Sequence, residues 1–123
     1  MDFDMTKLNG YEYYSAEPLE MGPMMYSNFV ESMILTKGNT RLVENTLGLV
    51  GEAGEFAEKI KKHYRDGVLD HEALIKELGD VLFYTTALAN YLGYNLQTVM
   101  DRNVDKLNSR KQRNQLQGSG DDR

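Results

Sequence analysis

The 123 residues of the chain fit one domain of common size, and 41% hydrophobic with 27% charged residues is the composition of an ordinary globular protein. A formal net charge of −5 disfavours binding to duplex nucleic acid, which needs a basic surface, and the lack of cysteine excludes disulfides and thiolate metal ligands. No apolar run is long enough to predict a membrane span, and the start at Met1–Asp4 lacks the basic region of a signal peptide, so we expect a cytoplasmic protein.

The first part of the sequence predicts an irregular arm followed by a helix. Residues 1–22 mix glycine, proline and tyrosine without a regular period, and we interpret them as an arm outside the domain. Pro23 suits the first turn of a helix, and apolar residues at helical spacing follow it until the chain reaches Gly38.

Three longer helices are predicted after this first one. They run over about residues 40–65, 70–93 and 95–112. The Asp66–Gly67 turn ends the second helix, and Asp70 and Asn95 are good N-cap residues for the third and fourth. Residues 23–112 are therefore predicted to form one all-α domain, a four-helix bundle, and residues 113–123 a polar C-terminal tail.

The third predicted helix is apolar nearly all the way round, as Leu74, Ile75, Leu78 and Leu82 show. A helix of that pattern is usually central and buried. Because four helices of one subunit offer too little surface to cover it, we expect a homodimer or a dimer of dimers.

Two pairs of acidic residues stand on the second and third helices among apolar neighbours. Glu52 and Glu55 form one i, i+3 pair, and Glu77 and Asp80 form the other, so each pair lies on one face of its helix. Like charges so placed repel each other, and Mg²⁺ would relieve the repulsion because it prefers oxygen ligands. The alternative is chance, since any long helix carries acidic residues at this spacing.

Basic and amide residues on the second and fourth helices are candidates for contact with a substrate. Lys59 and Lys62 follow the acidic pair on one face of the second helix and are candidates for contact with phosphate, the alternative being surface ion pairs with Glu55 and Glu58. On the fourth helix, Asn103 lies within the apolar stripe, where a buried amide needs a hydrogen-bond partner. That partner is either a neighbouring helix or a nucleotide.

Segments in this order and spacing resemble the MazG family of nucleotide pyrophosphohydrolases. The resemblance rests on Gly48–Glu55, on Lys76–Leu82 and on the later residues Asn103, Lys106 and Arg110, and it covers roughly residues 26–115. The ending at residues 118–123 is similar to that of short family members carried by bacteriophages, which would place the protein in the host cytoplasm. One departure is that Gly51 stands where the fuller signature has a first glutamate.

The resemblance implies an all-α oligomer that hydrolyses nucleoside triphosphates to the monophosphate and pyrophosphate. It carries over Glu52, Glu55, Glu77 and Asp80 as ligands of Mg²⁺, for which Mn²⁺ is expected to substitute, with Glu52 or Glu55 as the catalytic base. The predicted substrate-binding residues are Lys59, Lys62, Asn103, Lys106 and Arg110. We further expect the tail to close over the bound nucleotide.

Two rival classes compete with this interpretation. A di-iron carboxylate bundle needs a glutamate three residues before each histidine, but Ile60 precedes His63 and Val68 precedes His71. A non-catalytic helical interaction module would use the glycines at 48, 51 and 54 for close helix packing, and Mg²⁺-dependent thermal stabilisation would distinguish it from an enzyme.

Overall fold

The computed structural model describes residues 21–114 together with Gly118 and Gly120. Its helices are α1 (Pro23–Met33), α2 (Gly38–Asp66), α3 (His71–Tyr91) and α4 (Leu96–Gln112). No strand occurs in these described residues, and the all-α prediction is confirmed. Residues 1–20 of the arm predicted for residues 1–22 and most of the predicted tail lie outside the described residues. None of the described helices is both long and apolar enough to cross a membrane.

Local signals in the sequence set most helix ends. The Asp70 side chain accepts a hydrogen bond of 3.1 Å from the Ala73 amide, and Asn95 accepts one of 3.0 Å from the Thr98 amide, so both predicted N-caps are present. Gly67 ends α2 with φ of 76°, a backbone conformation that glycine adopts without strain. The first helix is shorter than predicted, and α2 begins two residues earlier than predicted.

Helices α2 and α3 form an antiparallel hairpin, and this is the most extensive packing in the structure. The helices approach closely at Gly48, where an added Cβ would overlap ring carbons of Tyr84. The aromatic ring therefore fits against the backbone of α2 only because residue 48 has no side chain. This contact fixes the rotation and the register of α2 against α3.

Arg41 ties three helices together at one end of this hairpin. Its guanidinium donates to the Glu31 carboxylate at 2.7 Å and to the Ala87 carbonyl oxygen at 3.2 Å. It also lies over the Tyr91 ring, 5.8 Å from the ring centre. One side chain of α2 is thus anchored to both α1 and α3.

Ser27 has the corresponding role between α1, α3 and α4. Its carbonyl oxygen accepts a hydrogen bond of 2.9 Å from the Asn90 amide, and its hydroxyl accepts one of 2.9 Å from the backbone amide of Leu96. The residue is buried, so these bonds satisfy groups that water cannot reach. The start of α4 is positioned by this contact.

The expectation that α3 is buried is only partly correct. Ala87 and Thr86 are fully buried, but Ile75, Leu78 and Leu82 are 56%, 47% and 41% exposed. The reason is that α1 and α4 pack chiefly against the second half of α3 and against each other, and leave its first half open on one side. A single chain therefore exposes an apolar face on its central helix.

Replacing Gly48 with alanine should lower the free energy of unfolding, because the new Cβ would overlap the Tyr84 ring. Overpacking of this kind costs about 1–3 kcal/mol, against a gain of about 1 kcal/mol from the better helix propensity of alanine. Gly51→Ala is the matched control, since nothing lies within 4 Å of a Cβ added there, and it should be more stable than the wild type. Urea unfolding at equal protein concentration measures both, and equal stabilities would contradict the close contact.

Candidate metal centre

Three carboxylates from the α2–α3 hairpin converge on one point. Glu52 of α2 and Glu77 and Asp80 of α3 each offer an oxygen atom, and these atoms all lie within 4.8 Å of one another. Glu52 and Glu77 are half-buried and Asp80 is exposed. Because helical spacing puts Glu77 and Asp80 on one face, the antiparallel packing of α2 brings Glu52 to that face. We call these three residues the carboxylate cluster.

The pKa values of the two half-buried carboxyls of the cluster are shifted in opposite directions. A hydrogen bond between them is the main cause: it raises the pKa of Glu52 and lowers that of Glu77. Burial and the negative charges of Asp80, Glu77 and Glu55 raise the pKa of Glu52 further. The Lys59 ammonium adds to the lowering at Glu77. A proton on Glu52, or a cation in the cluster, would relieve the repulsion between these oxygens.

The fourth predicted ligand, Glu55, is placed differently. It is exposed and is not one of the three residues of the cluster. It lies one turn after Glu52 on α2, and its charge is among those that raise the Glu52 pKa, after the hydrogen bond to Glu77 and burial. Glu55 therefore stands at the edge of the cluster.

Lys59 contacts the cluster directly. Its Nζ atom lies 3.2 Å from Oε1 of Glu77, across the hairpin. The alternative considered from sequence, a surface pair of Lys59 with Glu55, is not what the structure contains. It is Lys61 instead that pairs with Glu58, at 3.5 Å. The interhelical pair connects the predicted phosphate-binding residues to the predicted metal ligands.

A cavity of about 320 Å³ opens beside this ion pair, where α2 connects to α3. It is lined by Lys59, Lys62, Asp66, Val68, Leu69, Asp70, Ala73 and Leu74. The structure thus brings both predicted phosphate-binding lysines to one cavity wall.

The predicted substrate residues of α4 lie around a different cavity. It measures about 440 Å³ and is lined by Ala89, Leu92, Tyr94, Thr98, Val99, Arg102, Asn103 and Lys106, with no member of the carboxylate cluster. Asn103 is exposed, so its expected burial in the apolar stripe is wrong. The reason is that the apolar stripe itself is largely uncovered in this chain, since Val99, Met100 and Val104 are 37%, 44% and 55% exposed.

Arg110 is buried on α4 and donates a hydrogen bond of 3.1 Å to the carbonyl oxygen of Gly120. It therefore holds a point of the predicted tail against the helix. Arg113 of the tail donates to the Ser109 hydroxyl at 3.1 Å, whereas Ser119 and Arg123, which the closing hypothesis also needs, lie outside the described residues.

Comparison with known proteins assigns the chain to a family. The model of the MazG nucleotide pyrophosphohydrolase domain matches residues 42–114, which include the carboxylate cluster and both lysines. The chain belongs to the MazG family. The resemblance described above is thereby confirmed.

Two relatives are similar to the chain over more than half of their own length. Gene 37 protein of Mycobacterium phage L5 is 55% identical over 83 residues, which are 63% of this chain and 73% of that protein. Uncharacterized protein YpjD of Bacillus subtilis (strain 168) is 35% identical over 66 residues, which are 50% of this chain and 60% of that protein. The phage relative agrees with the expected short phage type. No solved structure matches the chain.

The structure also draws attention to two residues that the predicted site did not include. Tyr26 of α1 has a raised pKa because of burial and then because of the negative charge of Asp80, which places its hydroxyl near the cluster. Asn45 is buried, and its Nδ2 has no hydrogen-bond partner in the described part of the chain. The sequence feature that pointed to Asn45 was its position seven residues before Glu52, on the same face of the helix.

The donor set fits a hard divalent cation, which the MazG family is associated with. All three groups of the cluster are carboxylates, the ligand type that Mg²⁺ and similar ions prefer. The Oε2 atom of Glu77 is buried and has no hydrogen-bond partner in the described residues. A buried acceptor of this kind is destabilising unless a cation or a donor meets it.

The pKa of Glu52 predicts how metal-free stability depends on pH. The folded state holds the Glu52 proton more tightly than the unfolded chain does. The contribution of Glu52 to the free energy of unfolding is therefore full below pH 4.5 and is lost as pH rises through the raised pKa. The lowered pKa of Glu77 acts in the opposite sense and below pH 4.5, so the two effects occupy separate windows. Glu52→Gln should abolish the loss above pH 4.5.

Urea unfolding with a chelator, from pH 4.5 to about pH 8, measures this effect. Glu58→Gln is the matched control because Glu58 is on the same helix but pairs with Lys61. It should retain the wild-type slope. Parallel curves for the wild type and Glu52→Gln would show that the cluster carries no such repulsion.

Proposed function

We propose that this protein hydrolyses nucleoside or deoxynucleoside triphosphates between the α and β phosphorus atoms, giving the monophosphate and pyrophosphate in the control of nucleotide pools. The observation that carries the proposal is the carboxylate cluster of Glu52, Glu77 and Asp80 within a MazG nucleotide pyrophosphohydrolase domain. The geometry of three oxygen donors at one point suits Mg²⁺, with Mn²⁺ as a substitute.

The cluster residues are proposed to hold the cation from two sides of the hairpin. When bound, the ion would lower the pKa of the attacking water and neutralise the phosphate oxygens that gain charge. Glu52 would bind it in the ionised form, and Glu77 offers the buried Oε2 atom, which has no hydrogen-bond partner in the described residues. Asp80, on the exposed side, faces the substrate.

Glu55 is proposed as the catalytic base. It is exposed and lies one turn from Glu52, outside the cluster. A carboxylate that is not tied up in the cluster can accept a proton from the attacking water, which a carboxylate that holds the cation does less well. Lys59 and Lys62 are proposed to bind the phosphate chain through charge-assisted hydrogen bonds from their cavity wall.

Asn103 and Lys106 are proposed to contact the nucleoside. Both line the second cavity, where an amide, an ammonium group and the Tyr94 ring surround a space of about 440 Å³. Such a mixture of polar groups and an aromatic ring suits a base and a sugar. Arg110 is proposed to act indirectly, by holding the Gly120 segment of the tail near this substrate.

The direct test is a panel of ribonucleoside and deoxyribonucleoside triphosphates, including damaged bases, with identification of the products. The expected products are the monophosphate and pyrophosphate, formed only with a divalent cation. Release of orthophosphate would place cleavage at another bond and would refute the proposed reaction.

Variants of the acidic residues separate metal binding from proton transfer. Glu77→Gln and Asp80→Asn should abolish turnover together with thermal stabilisation by Mg²⁺, because they remove ligands. Glu55→Gln should lower kcat by about 10²–10⁴-fold, the usual contribution of a general base, and retain the stabilisation. The neutral control is Glu58→Gln. Near wild-type turnover in Asp80→Asn would refute the site assignment.

Self-association is the remaining proposal for the assembled enzyme. The apolar side chains of Ile75, Leu78 and Leu82 are exposed in the single chain, and burying them in a partner gains about 25 cal/mol per Å². Light scattering at micromolar concentration should therefore give a multiple of 14.1 kDa, as a dimer or tetramer. A monomer mass would contradict the proposal.

A further inference from the structure

Lys59 occupies an unusual position because it belongs to two sites at once. Its Nζ atom lies 3.2 Å from Oε1 of Glu77, and the two side chains are 33% and 15% exposed, so the ion pair is partly shielded from water. The same side chain lines the cavity of about 320 Å³ next to the cluster. A four-carbon stem lets the ammonium group move between the two.

The cavity wall carries two lysines and two aspartates, Asp66 and Asp70. Asp66 is paired with Arg65 at 2.8 Å, and Asp70 accepts the capping hydrogen bond at the start of α3. Lys59 and Lys62 are the cationic groups of this wall, so they are the groups that an incoming phosphate chain would contact.

We propose that Lys59 is the cation that neutralises Glu77 until a metal ion binds, and that metal binding releases it to the substrate phosphates. The inference rests on the proposed function and adds an order of events to it. A divalent cation at Glu77 removes the negative charge that holds the ammonium group and repels it. The nearest remaining polyanion is then the phosphate chain in the adjoining cavity. Metal binding thus prepares the phosphate site.

The contrasting interpretation is an ordinary structural ion pair between α2 and α3. In that case Lys59 stays on Glu77, and its removal destabilises the fold without changing the affinity for metal or phosphate. The two interpretations therefore predict different results for two binding measurements. Release of Lys59 requires that its removal strengthens the binding of metal alone and weakens the binding of phosphate in the presence of metal.

The experiment is calorimetric titration of Lys59→Met with Mg²⁺ alone, and then with inorganic pyrophosphate at saturating Mg²⁺. Mg²⁺ alone should bind about three- to tenfold more tightly than in the wild type, because no ammonium group competes for Glu77. Pyrophosphate should bind about tenfold more weakly, through loss of a charge-assisted hydrogen bond. Pyrophosphate needs no assumption about the base that the enzyme prefers.

Two control variants isolate the role of position 59. Lys61→Met removes the same charge from the same helix, but Lys61 pairs with Glu58, so both affinities should stay at wild-type values. Lys59→Arg keeps the positive charge and should restore both affinities towards the wild type. If Lys59→Met does not fold, Lys59→Gln makes the same neutralising change with a polar side chain.

Unchanged or weaker Mg²⁺ affinity in the charge-neutral variant overturns the inference, as does unchanged pyrophosphate affinity. The wild-type titration and product assay distinguish this failure from failure of the proposed function. A wild-type protein that binds no Mg²⁺ and releases no pyrophosphate refutes the proposed function itself. A wild-type protein that does both, beside an unaltered Lys59→Met variant, refutes only the role assigned to Lys59.

Discussion

Repulsion among three carboxylates is the constraint on which the rest of the structure depends. Glu52, Glu77 and Asp80 are held within 4.8 Å of one another, two of them half-buried, and like charges so close are unfavourable without a proton or a cation. In the metal-free chain two interactions reduce this repulsion: a hydrogen bond from Glu52 to Glu77, and the ion pair of Glu77 with the ammonium group of Lys59. In the proposed function, a divalent cation would replace both.

The scaffold maintains this unfavourable arrangement because its helices are fixed at points away from the cluster. Contact between Gly48 and Tyr84 sets how α2 lies on α3, and Arg41 anchors the same helix to its neighbours. The glycines at 51 and 54 make no such contact in this chain, since nothing lies within 4 Å of a Cβ added at either. Close packing within this chain therefore accounts for one glycine of the three.

The local part of the fold was predictable from sequence because its causes are local. Asp70 and Asn95 cap helices through bonds to amides three residues ahead, and Gly67 ends a helix through its own backbone freedom. The i, i+3 spacing of Glu77 and Asp80 likewise determines their shared face without reference to any other helix. Membership of the MazG family followed from the same ordered segments.

Only the tertiary structure decided which of these residues meet. Glu55 stays at the edge of the cluster, Lys59 pairs with α3 rather than along α2, and Asn103 faces solvent, because each depends on how one helix is rotated against another. The sequence determines the periodicity of each helix, but the rotation between helices is set by contacts such as that of Tyr84 with Gly48, which join distant parts of the chain.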